Sequence, residues 1–553
     1  MKAQKVLSII LVILLVGAIF TLSGCGAGAT VKSQSAGESQ SGAPGATTTS
    51  TLNLAVGSDF KTLDAALAGD GQTIEAVNLI YAGLLRYTGT VNSDVTGALA
   101  ESWKWSDDGK SITFKLRKGL TFSDGTPLTA DDVAFTFTRL LDPKTKAPYQ
   151  GSFTNIKGAS DFIKGNAKTV AGIVVIDPQT IRFDLDKPAP YFLNQVALPT
   201  AGIVSRQAVE KYGDTFGEHP LGAGPFALSK WDRGKDLILQ KNTHYYLQGL
   251  PKLDKVDFKL GVAENLQMMM FQKGELDLVA PISSADYAMV QNDPQLKKDY
   301  FSVTGPRLFY VGMNVDVPPF NNKLVRQALN YAVNKEKLIQ LENGRGVVMQ
   351  GVIPPWLPGY DKNLQPYPYD PEKAKKLLAE AGYPQGFETD LLVPDYFDQP
   401  NIAIAIQSDL ANVGVKVNIR QQSYPIFRQT VKEKGKVSMF LLQWATDFPD
   451  PENVLSMLFN GSHAGQQNFT WYNNPTVNSL LDEADGTMDK TKRMGLYQQA
   501  EDIIHDDAPW IFEFYGVADA VKSPKLQPAN DSFGRIPWEP NEFNHFDGVS
   551  KLP

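Results

Sequence analysis

The chain has little of what metal centres and catalytic nucleophiles require. It contains one cysteine and five histidines in 553 residues, and no two histidines are spaced as on one helical turn. It has no G-x-S-x-G and no G-x-x-x-x-G-K-[ST] sequence. Because such sites need clustered side chains, we expect no metal, no cofactor and no enzymatic activity. Catalytic carboxylate pairs have no fixed spacing, so a secreted hydrolase is left as an alternative.

Basic patches and long apolar runs are also scarce. The formal net charge is −7 and no Lys/Arg-rich run stands out, so we expect no nucleic-acid partner. After Phe20, no stretch approaches the roughly 20 apolar residues of a membrane-spanning helix. Aromatic residues are plentiful, with 29 Phe, 20 Tyr and 8 Trp. They suit a large core that needs no disulfides, and they also suit a concave site with aromatic walls.

The N-terminal residues have the pattern of an export signal. Lys2 and Lys5 precede the apolar run 6–20, and the sequence LSGC (residues 22–25) follows it. A basic start, a short apolar stretch and small residues before a cleavage point indicate a secretory signal peptide over residues 1–24. The cysteine at this position resembles the lipobox of bacterial lipoproteins. That resemblance implies that Cys25 carries lipid and holds an exported protein at the cell membrane; a free buried cysteine is the alternative.

Residues 25–50 have the composition of a tether. They contain one Val and no aromatic residue, and most of the others are Gly, Ala, Ser and Thr. Such a segment cannot bury enough apolar surface to fold. A flexible chain of this length spans about 25–30 Å root-mean-square. We therefore expect an extracytoplasmic body, tied to the membrane surface through the lipid on Cys25.

Beyond the tether, local patterns alternate between strands and helices. Residues 52–56 alternate as in a strand, and Asp108-Gly109 provides the positive φ of a tight hairpin turn. Capping residues precede helical apolar spacing at three places, and β-rich runs separate them. The predicted helices follow Thr129, Asp370-Pro371 and Asn474-Pro475, and the predicted later strands are 413–419 and 437–442. This alternation predicts α/β domains.

One segment stands out as a candidate binding loop, LQWATDFPDPEN (residues 442–453). It follows a predicted strand and contains two prolines, so we expect a loop at the carboxyl end of that strand, where α/β domains bind ligands. Trp444 could stack on a ligand while Asp447 pairs with a cation. The alternative is that Asp447 and Asp450 form turns and Trp444 is core.

Several longer motifs resemble one known family. They are AESW (100–103), SDDG (106–109), FKLRKG (114–119), FSDGTPLTADDV (122–133), LGAGPF (221–226) with Trp231, PFNN (319–322) and VRQALNYA (325–332). In this order they are similar to the family 5 extracellular solute-binding proteins, the peptide/nickel class that serves ABC importers. The likeness covers about residues 51–530.

The resemblance implies a two-lobed α/β fold like that of periplasmic binding proteins, with an extra inserted domain and the ligand between the lobes. Carried over, the domains are residues 51–91, 193–300 and 516–553 for lobe I, 92–192 for the inserted domain, and 301–515 for lobe II. Hinge closure over the ligand would be stabilised by contacts of the ligand with both lobes.

The resemblance also implies site residues. Trp444 and Asp447 match the position where peptide-binding members hold the ligand's α-ammonium on an aspartate. Dipeptide-selective members place an arginine ahead of the segment equivalent to 406–410, but residues 398–404 contain no basic residue. Strict dipeptide selectivity is therefore not expected. Arg307 is a candidate for the ligand carboxylate, and a solvated or structural arginine is the alternative.

Four further pocket candidates carry less specific signals. Tyr310 and Asn314 lie in a strand that opens the second lobe, Phe60 follows the first strand, and Tyr515 lies near a crossing between lobes. Each is as compatible with core as with a pocket wall.

The sequence thus predicts a monomeric, lipid-anchored receptor that captures oligopeptides and delivers them to the permease of an ABC importer. A nickel complex, an oligosaccharide or an opine would fit the same fold. A pheromone-sensing receptor would have the same sequence features.

Overall fold

The computed structural model describes residues 50–87, 95–395, 399–527 and 546–552. Cys25, the predicted signal peptide and nearly all of the predicted tether lie outside the described residues. In the part that is described, no helix is long and apolar enough to cross a membrane.

The described chain contains strands from Thr51 to Lys551. They are β1 (Thr51–Val56), β2 (Leu85–Tyr87), β3 (Val95–Gly97), β4 (Ala100–Trp105), β5 (Ser111–Leu116), β6 (Ile173–Asp177), β7 (Thr180–Asp184), β8 (Phe226–Asp232), β9 (Asp236–Lys241), β10 (Lys255–Leu260), β11 (Leu278–Val279), β12 (Tyr300–Met313), β13 (Gly346–Val348), β14 (Glu388–Pro394), β15 (Lys416–Gln422), β16 (Met439–Ala445), β17 (Trp510–Lys522), β18 (Leu526–Gln527) and β19 (Ser550–Lys551).

The α-helices follow in the same order. They are α1 (Gly71–Ile80), α2 (Ala130–Leu141), α3 (Ala159–Ile163), α4 (Phe192–Gln195), α5 (Arg206–Tyr212), α6 (Glu264–Gln272), α7 (Ser284–Asn292), α8 (Pro294–Asp299), α9 (Lys323–Ala332), α10 (Lys335–Leu341), α11 (Pro371–Glu380), α12 (Gln399–Ala411), α13 (Tyr424–Thr430), α14 (Ser456–Phe459), α15 (Pro475–Gly486) and α16 (Lys490–Asp507).

Three larger sheets organise the described chain. The first-lobe sheet has the order β1-β10-β9-β8, and the inserted-domain sheet has the order β4-β5-β7-β6. The second-lobe sheet is mixed and has the order β11-β17-β12-β16-β14-β15, with β13 also paired to β17. These sheets fall within the three predicted domains, apart from β11 and the end of β17, which belong by sequence to lobe I. The exact domain boundaries stay a prediction.

Two long strands connect the lobes. β12 has 14 residues and β17 has 13, and they form an antiparallel pair from Tyr300 opposite Val521 to Gly312 opposite Trp510. One end of this ribbon packs with first-lobe elements, where Phe301 and Ala520 join the core of the first-lobe sheet. The other end lies in the middle of the second-lobe sheet. The register shifts near residues 304–310 interrupt the ladder between these two ends.

Local sequence signals account for several elements. Gly109 has φ 67° in the turn between β4 and β5, as an Asp-Gly hairpin requires. Thr129 and Asp132 form a capping box at the start of α2. Asp370 caps α11, Gly382 follows it with φ 92°, and Asn474 caps α15. These predictions are confirmed.

Two strand predictions are displaced. The strand predicted at 413–419 begins at Lys416, because Val413 and Val415 pack into the core from the turn after α12. The strand predicted at 437–442 is β16, which continues to Ala445. Trp444 is therefore still in the strand, and the expected loop begins one residue after Ala445.

Candidate functional site

The loop after β16 is held by its own side chains. The Asp447 N–H donates to Oδ1 of Asn453 at 2.8 Å. Asp450 caps the short 3₁₀ turn Pro451–Asn453 by accepting the N–H of Glu452 at 3.0 Å. Thr446 and Phe448 are buried on either side of Asp447. The sequence thus fixes a tight loop with one carboxyl group, that of Asp447, partly open to solvent.

The carboxyl group of Asp447 has an unusual environment. Burial raises its pKa to about 6, and the hydrogen bond with Asn453 opposes that rise in part. No cation among the described residues contributes to this pKa. A carboxylate in this position would be strongly stabilised by a cation that arrived with a ligand.

Two polar atoms beside this loop have no hydrogen-bond partner in the described part of the chain. They are Nε1 of Trp444 and Oε1 of Gln443, both buried. Trp444 as a whole is 9% exposed. A buried indole N–H without an acceptor is uncommon in folded proteins. The end of β16 therefore has a donor and an acceptor without partners, on adjacent residues whose side chains point to opposite faces of the sheet.

Asp450, the second aspartate of the loop, is fully paired with other residues. Asp450 forms a two-pronged ion pair with Arg493 of α16, with N–O distances of 2.6 and 2.8 Å. Arg493 also donates to the Tyr497 hydroxyl at 2.9 Å, and that hydroxyl donates to Asp485 at 2.7 Å. Burial alone would lower the pKa of Arg493, but Asp450 holds it well above its usual range. Asp450 is structural.

Negative charge is in excess around the loop. Four carboxyl groups lie here, those of Asp447, Asp450, Glu452 and Asp485. Two described cations act on them: Arg493 pairs with Asp450 and acts on Glu452 and Asp485, and Lys187 acts on Asp485. Burial, followed by the charges of Asp485 and Asp450, raises the pKa of Glu452 well above its usual value, and burial raises that of Asp485 to about 6. The region therefore favours a bound cation over an anion.

Arg307 lies on the strand next to this loop. In the antiparallel pair of β12 and β16, Arg307 is opposite Ala445 and Leu308 is opposite Trp444. Arg307 is partly exposed. The structure thus places Arg307, Trp444 and Asp447 at one end of two adjacent strands. Whether they form one ligand site stays a prediction.

The four less specific candidates lie in the core. Phe60 is 1% exposed and packs edge-on against Trp231 and Phe258. Tyr310 is also 1% exposed, and its ring stacks on Trp510 at 3.6 Å between centroids. Their ring surfaces are already covered by neighbouring side chains. They form cores of the two lobes rather than exposed walls.

Asn314 and Tyr515 are occupied by the backbone. The Asn314 amide donates to the Val437 carbonyl at 3.1 Å, and its Oδ1 accepts the N–H of Asp316. The Tyr515 hydroxyl donates to the Gly351 carbonyl at 2.8 Å. Both side chains are at most 2% exposed. Each supports a loop instead of presenting a free polar group.

Sequence reasoning missed the residues that surround the loop. Arg493 and Asp485 lie on or beside helices far along the chain, and no motif connects them with Asp450. Asn453 lies inside the candidate loop 442–453, but its hydrogen bond with the Asp447 N–H depends on the way the loop turns. Across the described ranges, no group of three or more His, Cys, Asp and Glu side chains could hold a metal ion.

Comparisons with known proteins agree with this architecture. The sequence profile described as "Bacterial extracellular solute-binding proteins, family 5 Middle" matches residues 94–466. Heme-binding protein A of Haemophilus influenzae is 36% identical over 457 residues, which cover 79% of this chain and 82% of that protein. The glutathione-binding protein GsiB of Salmonella choleraesuis is 34% identical over 469 residues, covering 83% and 87% of the two chains.

A solved structure gives the same fold. The periplasmic binding protein DppA of Helicobacter pylori, described as ABC transporter-associated and in complex with the peptide STSA, aligns with a TM-score of 0.73 at 28% identity. The alignment covers 91% of this chain and 98% of that one. The two-lobed fold with an inserted domain, expected from the sequence, is thereby confirmed.

Proposed function

We propose a function from one premise: the chain belongs to the bacterial extracellular solute-binding proteins of family 5. Within that family, we propose that it captures oligopeptides with a free N-terminus and delivers them to the permease of an ABC importer. The ligand would lie between the lobes, and Asp447 would hold its α-ammonium.

The observation that supports this proposal is the carboxyl group of Asp447, which has no described cation as a partner. It is desolvated enough to raise its pKa to about 6, yet no described residue neutralises it. A desolvated carboxylate without a partner destabilises a protein, and a ligand ammonium would remove that cost when it binds. The same protein pairs Asp450 with Arg493, so the fold can supply a cation where structure requires one.

A neighbouring polar group fits a peptide main chain. The Trp444 N–H, which has no acceptor in the described part of the chain, could donate to a ligand carbonyl. Main-chain pairing of this kind gives affinity that does not depend on the ligand's side chains. Arg307, beside Ala445 in the adjacent strand, is our candidate for the ligand carboxylate.

The ligands in the relatives' names differ in charge, and this difference bears on which ligand the acidic loop would bind. Glutathione and the peptide STSA carry an α-ammonium group, whereas heme carries two carboxylates and no amine. The acid excess around Asp447 would repel heme carboxylates and attract an ammonium. For this reason we favour a peptide-like ligand over heme. Native mass spectrometry distinguishes it from a nickel complex, an oligosaccharide or an opine.

The remaining parts of the proposal concern location and assembly. We propose that residues 1–24 are removed, that Cys25 carries lipid, and that residues 25–50 tether a monomeric receptor at the outer face of the membrane. A tether of this kind would keep the receptor at a high effective concentration near its permease. Mass spectrometry of the protein from its native membrane would detect the lipid on Cys25, and an unmodified thiol there would contradict it.

The experiment for the ligand begins with native mass spectrometry of the protein as purified. We expect a spread of co-purified peptide masses. Calorimetry with tetra-alanine, N-acetyl tetra-alanine and heme should then show binding of the free-amine peptide only. A single sugar, metal complex or heme as the bound species would overturn the oligopeptide proposal. Equal affinity for the acetylated peptide would overturn the role of Asp447.

A further inference from the structure

A short loop reaches from the inserted-domain sheet to the candidate site. Residues 186–191 connect β7 to α4 and contain Pro188 and Pro190, which restrict the backbone. The last residue of this loop, Tyr191, is 7% exposed. It contacts side chains that belong to the second lobe, more than 250 residues further along the chain.

Tyr191 packs directly on the residue after Asp447. Its ring is stacked with that of Phe448 at 6.4 Å between centroids and 13° between planes. The Arg493 guanidinium lies 5.9 Å from the same ring. Burial and the nearby carboxyl groups of Glu452 and Asp485 raise the pKa of Tyr191 well above its usual value, so its phenol stays neutral.

Two more contacts belong to this interface. Met488, which follows α15, lies so close to the β4–β5 turn that a Cβ on Gly109 would come within 2.9 Å of its Cγ. Burial, and then the charge of Lys187, lower the pKa of His463, and Lys187 acts in the same direction on Asp485. The inserted domain and the second lobe therefore touch along a surface that includes the stack of Tyr191 on Phe448.

Phe448 connects the Tyr191 ring with Asp447 and Asp450. It is 2% exposed, follows Asp447 directly in the chain, and its carbonyl accepts the N–H of Asp450 at 2.9 Å. A displacement of Phe448 would therefore move the Asp447 carboxyl away from its position. A contact that joins the inserted domain to the second lobe is lost when the two separate, so it favours the state in which they are together.

We propose that Tyr191 is a positioning residue for ligand capture: by stacking on Phe448 across the interface, it holds the Asp447 loop in place and stabilises the closed form. It does so without touching the ligand. This inference rests on the proposed function for the identity of the ligand, but the contact itself connects the two domains whatever the ligand is.

The test compares three variants with tetra-alanine as the probe. Tyr191→Ala removes the ring, and Tyr191→Phe keeps the stack. Tyr212→Ala is the matched control, since Tyr212 stacks on His219 at 4.2 Å with Lys211 over its ring, but within its own lobe. An aromatic pair contributes enough that we expect Tyr191→Ala to weaken binding about threefold to tenfold, through faster dissociation. Tyr191→Phe and Tyr212→Ala should bind as the wild type does.

A second measurement separates the possible failures. Small-angle scattering without peptide should give a larger radius of gyration for Tyr191→Ala than for the wild type. In a Phe448→Leu background, Tyr191→Ala should have no further effect on affinity. If wild type does not bind tetra-alanine, the proposed function fails, and the scattering result alone decides the role of Tyr191. Unchanged affinity or an unchanged radius of gyration in a folded Tyr191→Ala protein would overturn the inference.

Discussion

Asp447 and Asp450 lie in one loop, yet the structure treats them differently. Asp450 is 3% exposed, accepts two hydrogen bonds from Arg493 and caps a turn. Asp447 is partly exposed, its backbone N–H is held by Asn453, and no described cation pairs with its carboxyl group. One acid is part of a buried ion pair, and the other has no described cation as a partner.

This difference shows what distinguishes a structural acid from a candidate binding acid. Burial alone does not, because both residues lie in the same desolvated region. The presence of a cation does, since a buried carboxylate without one costs stability that either a proton or a bound cation can offset. The predictions below test this contrast in order of decreasing expected effect.

Removing Asp450 should have the largest effect. Asp450→Ala would leave Arg493 buried without its partner, and breaking such a pair costs about 3–5 kcal/mol of unfolding free energy. Urea denaturation measures this loss. Glu483→Ala is the matched control, because its ion pair with Lys492 connects α15 and α16 at the surface and should contribute less than about 1 kcal/mol. Equal losses in the two variants would contradict the structural role of Asp450.

Replacing Asp447 should affect binding and leave the fold intact. Asp447→Asn keeps the shape but removes the charge, so we expect peptide affinity to fall by about 2–5 kcal/mol, at least thirtyfold. Calorimetry with tetra-alanine measures this. Wild-type affinity in Asp447→Asn would contradict the ammonium role.

The same variant should stabilise the protein in the absence of ligand. The folded carboxyl group of Asp447 keeps its proton up to about pH 6, whereas the unfolded one loses it near pH 3.8. Wild-type stability therefore falls as pH rises through this window, and Asp447→Asn should remove that fall. At pH 7.5 we expect a gain of about 1–2 kcal/mol in unfolding free energy, after allowance for partial exposure.

Acidification should weaken peptide binding. An ammonium binds the ionised carboxylate, and Asp447 takes up a proton as pH falls through about 6. Each further pH unit should cost up to about tenfold in affinity, which is roughly 1.4 kcal/mol. Calorimetry between pH 4.5 and 7.5 would show the decline, and Asp447→Asn should lack it. Affinity that is flat through pH 6 in the wild type would sink this prediction.

The smallest effect is expected at Asn453. Asn453→Ala removes the acceptor of the Asp447 N–H, and such a hydrogen bond contributes about 1 kcal/mol. Peptide affinity should fall severalfold because the loop is less well oriented. Asn478→Ala is the control, since Asn478 accepts the Gly461 N–H at 2.9 Å in another loop. It should lower stability to a similar degree without any change in binding.

Much of the fold could be predicted because its signals are local. The Asp108-Gly109 turn and the capping box of Thr129 and Asp132 depend on residues only a few positions apart. The start of β15 was misplaced because apolar residues just before it are buried without joining the ladder. Ladder pairing with β14 depends on a partner strand that the local pattern does not contain.

The pocket candidates show the limit of such reasoning. Phe60 is covered by Trp231, and the Tyr515 hydroxyl is bound to the Gly351 carbonyl, partners that lie more than 160 residues away in the chain. An aromatic residue in a strand has the same local pattern whether its ring is covered or exposed. Only the packing of distant elements distinguishes the two cases.

Local patterns in the sequence predicted α/β domains and a loop with three acids after β16, and the longer motifs implied the two lobes and the inserted domain through the family resemblance. From the residues alone, Asp447 and Asp450 were both open to a turn-forming role, and the family resemblance singled out Asp447 as the candidate ligand anchor. Only the tertiary structure shows that Arg493, from a helix 43 residues beyond Asp450, pairs with that acid. An ion pair with an arginine from a distant part of the chain leaves no pattern in the sequence around the aspartate.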